Sequence, residues 1–232
     1  MTFGEFYKMI NKDEYTNHTG GAYGVDTYGC LAGLHLGFKN HNHYRPYDNV
    51  KLSKKLKDKG LKAFILPEFA MEQNRLRVNK LLGTNHKDVI SGNLQCRNYF
   101  QVICSDAIFC FAKIIGDSKI SGGTNTALQL AIELEVEAYV FSLEDFCWHH
   151  YDRESKVLDD CAPPILTKDY AIIGTRDVED YYVKNKVTGG WASRKQYLGK
   201  EAELLVKDEI MQLFTRTINQ YSGEVENEKP EY

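Results

Sequence analysis

Apolar residues along this chain follow two periods. Short apolar runs at 61–66, interrupted by Lys62, and at 107–112, 138–141 and within 169–177 have the length and composition of strands. At 71–82, from residue 93 onward, after Thr124 and at 198–220, polar and apolar positions instead alternate as in a helix that buries one face. The segment 93–141 gives the fullest succession: a helix, the strand 107–112, a loop carrying Ser121, Gly122, Gly123 and Thr124, a second helix, and the strand 138–141. That is a βαβ unit with a glycine pair where its helix begins. Such a turn lets backbone N–H groups approach a ligand and points the positive end of the helix dipole at it, so the favoured guest is an anion, most often a phosphate.

The flanking sequence adds a second turn of this kind. Residues 1–13 read as a short amphipathic helix on Phe3, Phe6, Tyr7 and Ile10, and 14–19 as a short strand. This strand runs into Gly20, Gly21, Ala22, Tyr23, Gly24, Val25 and Asp26, then into a helix whose Cys30, Leu31, Leu34 and Leu36 suit packing on a sheet. Either turn alone is also explained as a tight connection. Together they place two helix N-termini along one sheet edge, where open α/β sheets bind ligands.

The remaining segments are more open. HNHYRPYDN at 41–49 reads as a loop in which Tyr44 and Tyr47 stack on a base and Arg45 holds a phosphate, or as a solvated connector. Residues 50–60 predict an exposed lysine-rich helix ending at Gly60, Pro67 stops the next strand, and 83–92 is a polar linker. Arg75, Arg77 and Lys80, with the preceding lysines, form either a functional basic patch or a solvated face. Residues 143–164 look too irregular for a sheet element. Trp148 and Tyr151 there wall a base or, as we favour, cover the sheet edge, and His149 and His150 read as hydrogen-bonded side chains rather than metal ligands. The loop 181–190 and the tail from 222 carry little pattern.

Composition narrows the class. The 232 residues suffice for one α/β domain, expected over 1–221, with an insertion near 143–168 and a flexible tail at 222–232. With 43% hydrophobic and 26% charged residues and a formal charge of −3, the chain has no global pull toward nucleic acid. Cys30, Cys96, Cys104, Cys110, Cys147 and Cys161 are scattered without a C-x-x-C pair, and no secretory or membrane-spanning run occurs. The expectation is a cytoplasmic protein with reduced thiols, no metal, no cofactor and no membrane partner.

The blocks GGAYGVD, CRNYFQVICSDAIFCFA and SGGTNTALQLAIELEVEAYVF occur in an order that resembles the SLOG superfamily of DprA-like, LOG-like and YpsA-like proteins, over about residues 19–145. The resemblance implies a Rossmann-like parallel sheet with helices on both faces and a nucleotide-derived ligand across the two glycine turns. DYAIIGTRD at 169–177 resembles the strand and turn that normally open such a domain, yet here it lies near the C-terminus. The simplest account is a circular permutation, as in the permuted YpsA-like branch and in phage-associated proteins of similar layout. Gly174, Thr175 and Arg176 would then return to the pocket; the alternative is a surface turn. The resemblance also implies a homo-oligomer, for which the helix at 198–220 offers the stripe Leu204, Leu205, Ile210, Leu213, Phe214 and Ile218.

LOG-type hydrolases carry G-G-x-G-T-x-x-E, and laying that motif from Gly122 puts Asn125 at a glycine and Gln129 at the catalytic glutamate. A glutamine cannot act as general base or support an oxocarbenium ion as a carboxylate does. Asp26 and Glu133 remain as displaced acids if the protein is an enzyme; otherwise Asp26 complements a helix start and Glu133 is an exposed side chain. The neutral amides of Asn125 and Gln129 suit ribose hydroxyls and base edges, while Arg97 and Arg176 suit phosphate, and Arg45, Asn98, Gly20, Gly21, Ala22, Ser121, Gly122, Gly123 and Thr124 complete the expected lining. The favoured expectation is a sensor or sequestering protein for a nucleotide or nucleotide-derived small molecule, with phage and host conflict as one setting. The alternatives are an N-glycosidase or phosphoribohydrolase on nucleoside monophosphates and a DprA-like single-strand DNA binder, the last lacking an obvious basic face.

Overall fold

A computed structural model of the protein describes residues 10–46, 54–61, 63–175, 182–184, 191–193 and 200–223. After a single 3-10 turn at Lys12–Glu14, the first half contains β1 (Thr16–Thr19), α1 (Val25–His35), β2 (Asn40–Arg45), α2 (Lys54–Asp58), β3 (Ala63–Ile65), α3 (Glu68–Leu82), α4 (Ile90–Cys96) and α5 (Asn98–Ile103). The second half contains β4 (Ala107–Ala112), β5 (Ile114–Gly116), β6 (Lys119–Ile120), α6 (Thr124–Glu133), β7 (Glu137–Ser142), β8 (Trp148–Asp152), β9 (Val157–Asp160), β10 (Asp169–Gly174), β11 (Tyr182–Lys184), β12 (Trp191–Ser193) and α7 (Lys200–Gly223).

Period-two burial of the central strands dictates the layers. In β4, Ala107, Phe109 and Phe111 face one side, joined by Tyr170 and Ile172 of β10 and covered by α1 and α7. Ile108, Cys110 and Ala112 face the other, joined by Ala171 and Ile173 and covered by α3, α5 and α6. The strands assemble into an eight-stranded sheet in the order β3-β2-β1-β10-β4-β7-β8-β9. All pairs from β3 to β7 are parallel, and the last two strands are antiparallel. This is a Rossmann-like α/β fold with helices on both faces.

Polar sequence conceals two of these elements. Residues 41–49 were expected as a loop, but 40–45 form β2, an internal strand whose His41 and His43 point inward beneath α1. Residues 143–164, expected to be irregular, contain the β8–β9 hairpin that extends the sheet. Trp148 there is buried edge-on against Phe109 and Phe111, at centroid distances of 6.2 and 5.4 Å, so it covers the sheet. His149 Nδ1 lies 3.0 Å from Asp160, and His150 Nε2 is hydrogen-bonded to Glu137 at 2.6 Å. Within 181–190, β11 pairs antiparallel with β12, so that segment is not wholly loop. Residues 1–9 of the expected first helix and 224–232 of the tail lie outside the described residues.

Helix α7 spends its apolar stripe on its own sheet. Val206, Ile210, Leu213 and Phe214 are fully buried with α1 and the aromatic face, leaving Leu204 and Leu205 exposed. Glu209 accepts from Trp148 Nε1 at 2.6 Å and from Arg216 at 2.7 Å, which fixes the helix over β8. The six cysteines are free thiols, and among the described residues no helix is long and apolar enough to cross a membrane.

Gly174 ends β10 where α1 crosses closest. A Cβ there would lie 2.7 Å from Val25 and 2.8 Å from the Phe111 carbonyl oxygen. Gly174→Ala should therefore cost about 1–3 kcal/mol by overpacking, read as a lower urea midpoint with an unchanged slope. Wild-type stability of that variant would show that α1 is free to shift.

Candidate functional site

The carboxyl ends of β1, β10 and β4 lie side by side, and the three turns that leave them form one edge. At β1 the chain folds back on itself: Gly21 N–H donates to Thr19 Oγ1 at 3.2 Å, and Gly20 N–H donates to Asp26 Oδ2 at 3.2 Å. Gly21 and Gly24 take φ of 60° and 93°, values that other residues adopt at a cost, so the turn needs glycine at both. Thr27 Oγ1 donates to the Ala22 carbonyl at 2.6 Å, and Val25 N–H reaches the Thr175 carbonyl at 3.4 Å, joining this turn to the end of β10. Thr175 in turn donates its N–H to Phe111 at 3.0 Å.

Arg97 sits between α4 and α5 with helical backbone angles, and its side chain lies over the β1 turn. A Cβ on Gly20 would fall 1.2 Å from its Nη1, so the guanidinium occupies the space that any other residue at position 20 would fill. It is 6% exposed and Asp26 is 3% exposed, with Nη2 4.0 Å from the carboxylate. Nε donates to Leu94 at 3.3 Å and Nη1 to the Tyr44 carbonyl at 3.4 Å. The next residue, Asn98, turns the other way and donates to the Gly123 carbonyl at 3.4 Å. Adjacent residues thus hold both glycine turns.

At the second turn Gly122 has φ of 72° with open space around its Cα, and α6 starts without a side-chain cap. Ser121 N–H is used by Lys113 at 2.8 Å, and Thr124 is buried. Asn125 Oδ1 accepts from Ile120 N–H at 3.1 Å, and Gln129 Nε2 donates to Ser118 at 2.7 Å. These amides pin the β5–β6 hairpin, an element the sequence did not disclose, against α6. They retain Asn125 Nδ2 and Gln129 Oε1 for other partners.

The edge gathers Gly20, Gly21, Ala22, Asp26, Arg97, Asn98, Gly174 and Thr175 with the Ser121–Thr124 turn. It leaves out Glu133, which is exposed at the last position of α6, roughly 13 Å along the axis from Thr124. Arg45 ends β2 one residue beyond the carbonyl that Arg97 reaches, while Tyr44 is committed inside the fold, stacked on Phe100 and bonded to His18. Tyr47 and Arg176 lie outside the described residues. Arg75 is bonded to Asn93 and paired with Asp88, so it does not contribute to a basic patch.

Sequence reading missed the polar rows beneath the site. His41 Nε2 donates to the Phe38 carbonyl at 3.1 Å, which makes Nδ1 the acceptor for Asn17 Nδ2 at 3.3 Å. His43 is fully buried beside Thr19, and neither ring nitrogen has a hydrogen-bond partner. Burial, then the neighbouring charges of His41 and Arg97, pull its pKa down to about 4. The period-two spacing of the two histidines was the available signal. On the opposite face His18 Nε2 donates to Asp169 at 3.0 Å and Nδ1 accepts from Tyr44 at 3.0 Å. Among the described residues no group of three His, Cys, Asp or Glu could hold a metal ion. No protein-family model, curated protein or solved structure matches this chain.

Removing one member of the Arg97–Asp26 pair leaves a buried charge uncompensated. Arg97→Met should lower stability by about 3–5 kcal/mol, and Asp26→Asn added to it should restore part of the loss in a double-mutant cycle. Independent, additive losses would refute the coupling. His43 gives a separate test in acid. Its folded pKa of about 4 lies below the ordinary 6.5, so the unfolded chain binds the proton first and stability falls as pH drops from 6.5 toward 4. His43→Leu should remove on the order of 3 kcal/mol of that fall, measured by urea titration across the range. An unchanged acid slope would show that His43 does not sense it.

Proposed function

We propose that this protein binds a nucleotide or nucleotide-derived small molecule along the carboxyl edge of β1, β10 and β4. The observation that carries the reading is the Arg97–Asn98 pair, which fixes the Gly20–Gly24 and Ser121–Thr124 turns in one frame. The uncapped α6 N-terminus supplies partial positive charge next to Gly122, where no side chain obstructs approach. Phosphate belongs at this turn, with Asn125 and Gln129 offering their remaining amide atoms to hydroxyl or base edges. The place of β10 between β1 and β4, followed by α7 over α1, supports treating the chain as a permuted relative of SLOG domains.

Holding a ligand is favoured over cleaving it. The position that would bear a catalytic carboxylate is Gln129, Glu133 stands at the far end of α6, and Asp26 is engaged by Gly20 N–H and faces Arg97. Hydrolysis of a nucleoside monophosphate at Asp26 is the second reading, because Asp26 is the acidic side chain already at the first turn. Sensing or sequestration in the cytoplasm, including a part in phage and host conflict, is the biological setting we propose for the binding activity.

Mass spectrometry of small molecules released on denaturing the purified protein, with native protein incubated with nucleoside monophosphates and cyclic dinucleotides, separates the readings. An intact ligand in near-stoichiometric amount without turnover is expected. Gly122→Asp, which tolerates the left-handed backbone and adds a negative charge, should abolish capture while the melting temperature changes little. A free base with a sugar phosphate would move the function to hydrolysis. Absence of both ligand and turnover would overturn the site.

A further inference from the structure

The two ends of the eight-stranded sheet are finished in opposite ways. At one end, β9 carries exposed Asp159 and Asp160, and the turn before it carries exposed Arg153, Glu154 and Lys156. Charges of this kind keep an open edge from pairing with other chains. At the other end, β3 and the helix after it expose Phe64, Ile65, Phe69 and Leu76 at 58, 50, 70 and 58%. Phe69 and Leu76 on α3 form an exposed apolar patch of the kind that marks an interaction site, while Phe64 and Ile65 alternate to opposite faces of β3.

The helix α3 organises this patch. Met71, Asn74 and Val78 form its buried stripe, and Asn74 Nδ2 is bonded to the Cys96 carbonyl. Helical spacing puts Phe69, Gln73, Leu76 and Lys80 on the side away from that stripe. Phe64 pairs in register with Tyr44, which stacks on Phe100 of α5, so Phe64 belongs to the sheet face that the α3 side of the molecule covers. The outward charges are segregated along the axis. Glu68 and Glu72 are exposed in the first half, and Arg77 and Lys80 are exposed in the second.

We infer that this face of α3 is the contact with a second copy of the same chain, the two helices packing antiparallel about a two-fold axis near Glu72 and Gln73. Antiparallel packing sets Phe69 of one copy against Leu76 of the other, burying the apolar pair from both sides. It lays the acidic half of each helix beside the basic half of its mate and opposes their dipoles. A parallel arrangement would bring like charges together at both ends, so charge selects the antiparallel pair. Self-complementarity is what a two-fold interface requires, and a patch of one sign would have indicated a foreign partner. The helix concerned is α3, since α7 buries Val206, Ile210, Leu213 and Phe214 inside the chain and exposes only Leu204 and Leu205 of its apolar stripe near its first turn.

The test is sedimentation equilibrium or native mass spectrometry of the full chain. Wild type should have the mass of two chains, and Phe69→Glu or Leu76→Glu should weaken association at least about a hundredfold with an unchanged melting profile of the monomer. Two charge variants make the register decisive. Glu68→Lys/Glu72→Lys makes the exposed charges of α3 all basic and Arg77→Glu/Lys80→Glu makes them all acidic, Arg75 staying paired with Asp88. Neither should pair with itself, and an equal mixture should give a one-to-one heterodimer. A monomeric wild type, a dimer indifferent to Phe69→Glu and Leu76→Glu, or charge variants that fail to associate on mixing would each overturn the inference. A wild-type monomer that Leu76→Glu strongly destabilises would show that the chain covers the patch itself.

Discussion

The guanidinium of Arg97 lies where the side chain of residue 20 would be, and the carboxyl edge of the sheet is arranged around that fact. A glycine at position 20 is required so that the arginine fits, and Asp26 faces it from the first turn of α1. Both charged groups are almost fully withdrawn from water, a placement tolerated only when they face each other and are bonded further. The bonds supplied are backbone ones: Gly20 N–H to Asp26, and the Leu94 and Tyr44 carbonyls to Arg97. This makes the first glycine turn a locked element whose shape depends on a residue 77 positions away in sequence, counting from Gly20 to Arg97.

A second consequence concerns which groups remain for a ligand. The first turn uses its donors internally, through Thr19, Asp26 and the Thr175 carbonyl. The second turn is left more open, since Gly122 has no neighbour above it and α6 lacks a side-chain cap. The division is therefore unequal: the β1 turn and Arg97 form the frame, and the α6 start is the more open turn, where the proposed reading seats an anion. Beneath the frame, His43 is held neutral by burial and by Arg97, so the positive charge at this edge comes from arginine and helix dipole rather than imidazolium.

What could be read in the sequence was whatever local chemistry forces. The runs at 107–112 and 138–141 are apolar at every position, Tyr139 counted among the apolar ones, and their length suits a buried strand. The glycines at 21, 24 and 122 were legible because positive φ selects them. Strand β2 was not legible, because its inward residues are histidines: His41, bonded to Asn17 and the Phe38 carbonyl, and His43, buried without a hydrogen-bond partner, an environment that only the assembled sheet supplies. The β8–β9 hairpin was hidden for a similar reason, its charges being paired across strands. At the site, sequence picked out Arg97 and Asn98 for a ligand, and it could not show that Arg97 also bonds the Leu94 and Tyr44 carbonyls and faces Asp26, or that Asn98 donates to Gly123.

Gln129 shows how one residue settles both structure and chemistry. Its Nε2 donates to the Ser118 carbonyl, which holds the β5–β6 hairpin against α6 together with Asn125 and the Ile120 N–H. A carboxylate at 129 has no hydrogen to donate and would face that carbonyl with like polarity. The hairpin therefore selects an amide at the one position where the resembling hydrolases carry glutamate. Once glutamine is there, the carboxyl group that would stabilise a developing sugar cation is missing, while hydrogen bonding to neutral groups is preserved. On the binding reading proposed above, the amide that anchors the hairpin leaves the α6 turn better suited to hold a glycosidic bond than to break one.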